Sequence, residues 1–177
     1  MIRHLTTAFI FAFLVRGGAG ASAQPAGGTN WTDWSFLQGT WTGEGSSEAG
    51  QGAGYFSFEP DLLGKVWVRR NHAEYPGPKG QPPFVHEDLM IVYDDPASHQ
   101  TRAFYSDTEG HTIQYSATFS SDRKTLTFLG DVQPAQPRYR LTYVSLAPGR
   151  MSVILEIAQP DHLDQFKKIV EGTVTRK

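Results

Sequence analysis

The 177-residue chain has no cysteine. That excludes disulfides, thiolate metal centres, a cysteine nucleophile and a lipid-modified N-terminal cysteine. It also has no basic run, and a formal charge of -2 makes it a poor partner for nucleic acid. No G-x-S-x-G elbow, P-loop, dinucleotide fingerprint or H-E-x-x-H is present. The common hydrolase, nucleotide and zinc-protease chemistries therefore have no foothold in the sequence. Long apolar runs are scarce too: LTTAFIFAFLV is the longest, and it is too short to span a bilayer.

That run has a different meaning at its position. MIRH supplies positive charge before it, and GGAGASA after it ends in an Ala-x-Ala site at Ala21 and Ala23. This is the anatomy of a secretory signal peptide, residues 1–23, with Gln24 as the first mature residue. Loss of Arg3 and Arg16 leaves 14 basic against 18 acidic residues, a formal charge of about -4. Residues 24–30 read as a flexible leader and 31–177 as one domain, large enough to be held by a core without disulfides. The expected location is periplasmic or secreted, as a monomer or homodimer.

DWSFLQG reads as a short helical turn, capped by Thr32 or Asp33 and ended by Gly39. From Trp41 onward the chain is strands and turns. GYFSFEP, KVWVRRNHAEY, HEDLMIVY, TRAFYSD, HTIQYSATF, KTLTFLGDV, RYRLTYVSL, RMSVILEIA and IVEGTVTRK are each bounded by Pro, Gly or Asp-rich punctuation. TEG between TRAFYSD and HTIQYSATF is a hairpin whose glycine supplies positive φ. PDHLDQFKK predicts a short helix near the C-terminus, with Leu163 and Phe166 on one face. Many short strands with little helix mean an all-β antiparallel sandwich or barrel, here about 8–10 strands.

Candidate cavity residues follow from alternation. His111, Ile113, Tyr115, Ala117 and Phe119 share an apolar face, against the hydroxyl-rich Thr112, Gln114, Ser116 and Thr118. Arg102 or Tyr105 on the preceding strand joins them, depending on the length of the turn. Tyr139, Leu141 and Tyr143 share a face, as do Met151, Val153, Leu155 and Ile157. VRRNHAEY is ambiguous: Arg70, His72 and Glu74 alternate with Arg69, Asn71 and Tyr75, so polarity does not choose the inner side. Arg70 or His72 turned inward would orient a polar ligand group. His72-x-Glu74 and His86-x-Asp88 on neighbouring strands form a divalent-metal set if all four share a face.

The opening turn followed by Gly39-x-Trp41 resembles lipocalins and their calycin relatives. The resemblance implies an up-and-down barrel whose floor is closed by Trp41, with Arg176 of TVTRK packed across the indole. FLQGTWTGEG, VRRNHAEYP, HEDLMIVYDDP and YSDTEGH are similar to an uncharacterised family of bacterial secreted lipocalin-like proteins, over roughly residues 34–177. GTWTGEG is also similar to the opening of nitrobindins, heme barrels with a C-terminal histidine ligand, for which His162 is the candidate. The main expectation is a non-enzymatic barrel binding a small, largely apolar molecule without a cofactor, through His111, Tyr115, Phe119, Arg70, His72, Arg102, Tyr139 and Met151. The alternatives are a heme barrel using His162, a cofactor-free isomerase or cyclase using His72 with Glu74 or His111, and a structural barrel filled by its own side chains.

Overall fold

The computed structural model describes residues 29–43, 53–77 and 81–177. The expected signal peptide and most of the expected leader lie outside these residues. Ten antiparallel strands form one closed barrel: β1 (Gly39–Gly43), β2 (Ala53–Asp61), β3 (Val66–Tyr75), β4 (Phe84–Asp95), β5 (Gln100–Asp107), β6 (Thr112–Phe119), β7 (Thr125–Gly130), β8 (Arg138–Ala147), β9 (Arg150–Ala158) and β10 (Lys167–Arg176). Each strand pairs with the next in sequence, and β1 pairs with β10 to close the ring. Closure removes every free strand edge.

Alternation fills the inside. Trp41, Phe58, Trp67, Met90, Val92, Ala103, Leu126, Phe128, Tyr143 and Met151 are buried core residues, each flanked along its strand by more exposed neighbours. A 3-10 turn, Trp31–Trp34, caps one end of this core. Its cap is Asn30, not Thr32 or Asp33, and the Asn30 side chain accepts from Thr32 N at 3.3 Å. Trp34 reaches Phe119 at 5.6 Å and Phe128 at 5.9 Å, both edge-on.

Beside that plug, Trp41 is 1% exposed, and its indole N–H donates to Leu37 O at 2.7 Å. Arg176 lies opposite it in the ladder, with its guanidinium 4.8 Å from the indole ring and donating to Phe36 O at 2.7 Å. Gly39 is required here twice over. Its φ is +114°, and an added Cβ would sit 3.3 Å from Arg176 Cδ.

The expected C-terminal helix does not form. Asp161–Gln165 makes consecutive turns instead, with His162 N donating to Gln159 O at 2.9 Å and Gln165 N to His162 O at 3.0 Å. Lys167 and Lys168, the end of the expected helix, are already paired with β9. So short a helix needs a packed face to be stable, and Phe166 lies instead beneath the Arg140 guanidinium, 4.2 Å away.

Candidate functional site

The barrel interior is packed at one end and open beyond it. Trp41, Phe56, Tyr115, Leu141 and Val174 belong both to the core and to the lining of a cavity of about 710 Å³ above it. The cavity has two unlike walls. Leu155, Ile157, Val153 and Val170 from β9 and β10 make an aliphatic wall. Arg69, Asn71, His86, Asp88, Tyr105, Asp107 and Glu109 bring polar groups from β3, β4, β5 and the β5–β6 turn.

The polar wall is built by register. Trp67 and Arg69 are buried, which sets the odd-numbered face of β3 inward and leaves Arg70 exposed. Arg69 is 7% exposed and Asp88 8%, and the two form an ion pair. Arg69 also lies 5.3 Å from the centre of the Phe56 ring. Burial opposes ionisation of Asp88, but the charge of Arg69 and hydrogen bonds from His86 and Arg69 hold its carboxyl below the usual carboxylate range. Arg69 Nε and the Tyr143 hydroxyl are buried without hydrogen-bond partners among the described residues. Burial pushes Tyr143 up to about 12.

His86 bridges two carboxylates, with Nε2 at 3.2 Å from Asp88 and Nδ1 at 2.7 Å from Glu109. The hydrogen bond to Asp88 raises its pKa, burial opposes this, and Glu109 adds to the rise. Thr108, Glu109, Gly110 and His111 connect β5 to β6, with Gly110 at φ 90° and Asp107 N donating to His111 O at 3.2 Å. That length sets Tyr105 opposite Ile113, facing inward, and Arg102 opposite Ser116. Asp107 accepts from His111 N and pairs with the His111 ring, both at 2.8 Å, and takes the Tyr105 hydroxyl at 3.1 Å. Burial works against its charge, but these bonds keep the Asp107 carboxyl low.

The eight residues expected to contact ligand are distributed unevenly. His111, Tyr115 and Tyr139 line the cavity together. Phe119 packs against Trp34 and Phe36 at the plugged end, and Met151 is fully buried in the core. Arg102 is outside, paired with Asp131 and Ser116. Arg70 is outside as well. His72 reaches the cavity rim, but its ring is taken by the exposed Glu87 at 3.1 Å and Glu74 at 3.2 Å.

The four-residue metal set is divided by the sheet. His72 is opposite Glu87, while His86 is opposite Ala73, so the two histidines point to different faces. His86 comes together instead with Asp107 and Glu109. The acid–base pair His72 and Glu74 is likewise outside, whereas His111 pairs with Asp107 at the cavity lining. His162 does not fit the role of a heme ligand. Its ring is 60% exposed in the β9–β10 turn, 3.6 Å from Asp161, and it is not among the residues lining the cavity.

Sequence reasoning passed over Arg69, Asn71, Asp107 and Glu109. Trp67 carried the missing signal, since a tryptophan two residues before Arg69 on one strand face marks that face as inner. No known protein-family model matches the chain, and no curated protein matches it significantly.

Proposed function

We propose that the protein is an exported, calycin-like binding barrel that holds one small, largely apolar molecule in the open half of its interior. The observation that carries this reading is the cavity of about 710 Å³ with a continuous aliphatic wall. Ligand sites are commonly concave, mostly apolar and roughly 300–1,000 Å³ in size. A ligand removing roughly 300 Å² of apolar surface from water gains on the order of 7 kcal/mol. Lost translational freedom offsets part of that gain, so apolar burial alone supports a dissociation constant of roughly 0.1–1 mM, and polar contacts add to it. His111, Tyr115 and Tyr139 fix the orientation of the ligand, and neither heme nor another cofactor has a part in the reading.

The test is titration with N-phenyl-1-naphthylamine, whose fluorescence rises in apolar surroundings. One equivalent should bind with sub-millimolar affinity. Val153→Trp, which fills the aliphatic wall, should abolish uptake while circular dichroism stays unchanged, and Ile157→Trp serves if the first variant misfolds. Lack of probe uptake by the folded wild type, together with no small molecule released on denaturation, would overturn the proposal.

A further inference from the structure

We infer that the cavity selects ligands bearing a cationic amine, received on the polar wall by Asp107, Glu109 and His86. This rests on the binding reading above and narrows it to a ligand class: an apolar body with an ammonium end.

Charge comes first. Arg69 is the only arginine or lysine among the described residues lining the cavity, and Asp88 already pairs with it. Asp107 and Glu109 face the same space with only histidines, backbone N–H and hydroxyl groups for partners. An anionic ligand would meet these carboxylates with no free cation opposite. A wholly apolar ligand would strip water from them and return nothing.

Geometry comes second. One ligand atom from each of His86, Asp107 and Glu109 lies within 4.8 Å of the other two. An ammonium nitrogen that reaches its acceptors at about 2.9 Å can touch groups gathered this closely. His86 faces Asp88 through Nε2 and Glu109 through Nδ1, both acceptors, so the ring directs a proton at Glu109 that an incoming ammonium replaces. The proton shared by His86 and Glu109 and an incoming ammonium are alternative sources of the same positive charge.

A third observation is independent of the acidic groups. Tyr115 is 2% exposed and lines the cavity, yet its hydroxyl makes no hydrogen bond among the described residues. The Asn71 amide, also lining the cavity, is similarly uncommitted. Uncommitted polar groups on the cavity lining call for a ligand with polar atoms of its own. A bare divalent ion would satisfy the carboxylates and leave the aliphatic wall, Tyr115 and Asn71 without a purpose.

The experiment displaces N-phenyl-1-naphthylamine from the full-length mature protein with octylamine, octanol and octanoate at pH 7.5. Octylamine should displace the probe at concentrations at least tenfold below octanoate, with octanol between them. Glu109→Gln should reduce the preference for octylamine over octanol at least fivefold. If octanol displaces the probe and octylamine shows no advantage, the inference falls while the binding reading stands. If no probe binds at all, both fall. Zinc ion added alone, binding with micromolar affinity that Glu109→Gln abolishes while octylamine shows no preference, would also overturn the inference, in favour of a metal site.

Discussion

Asp88→Asn isolates the buried charge pair beneath the polar wall. The substitution keeps the shape of the side chain and removes its charge, leaving the Arg69 guanidinium 7% exposed and without a counterion. Removing one partner of a buried pair costs about 3–5 kcal/mol, because the remaining charge stays desolvated. Arg69 lines the cavity, so water reaches part of it, and the lower end of that range, about 3 kcal/mol, applies. For a domain of this size that lowers Tm by roughly 6–12 °C. Arg69→Met should cost less, about 1–2 kcal/mol, because His86 remains to hold Asp88. The double variant Arg69→Met/Asp88→Asn strands no charge and should lie within about 1 kcal/mol of the wild type. Urea unfolding at pH 7 measures all three. Acid titration adds a signed check. The Asp88 carboxyl is lowered in the folded state, so its contribution is present above the unfolded value, about 3.9, and is lost as pH falls through the folded value. Asp88→Asn should therefore lose less stability than the wild type over that acid range. An Asp88→Asn loss under about 1 kcal/mol, or a double variant as unstable as the two single losses combined, would refute the reasoning.

Three further outcomes follow from the same geometry. Trp41→Ala should cost about 3–5 kcal/mol in urea unfolding, and Arg176→Ala, which loses an exposed cation–π contact, about 1 kcal/mol; equal costs would contradict the placement of Trp41 in the core. The pKa of His86 is raised by Asp88 and Glu109, so its contribution is complete below about 6.5 and disappears as pH rises through the folded value; His86→Gln should flatten the loss of stability as pH rises above about 6.5. N-terminal sequencing of protein exported by a bacterial host should begin at Gln24, and an intact Met1 would reject the signal-peptide reading.

Much of the architecture was legible because strand periodicity is local. HTIQYSATF alternates so regularly that its inner face followed directly, and TEG with its glycine defined the hairpin. The polar wall was harder to read because β3 carries charge on both faces, and a one-residue choice exchanges Arg70 for Arg69. The same parity separates His72 from His86, which sequence proximity had united. PDHLDQFKK has helical spacing, but pairing of its last two residues with β9 prevailed over that local pattern. Phe119 and Met151 were correctly placed on inward faces, yet no local pattern says how far along a strand the packed end gives way to open cavity.

The central claim is that the open half of the barrel is a ligand site. A crystal structure of the protein soaked with N-phenyl-1-naphthylamine tests it most directly. Density for one probe is expected inside the barrel, its rings against Leu155 and Ile157 and its nitrogen toward His86 and Asp107. Density only on the outer surface, for example on the exposed Leu62–Leu63 turn, or an interior closed by side chains, would contradict it.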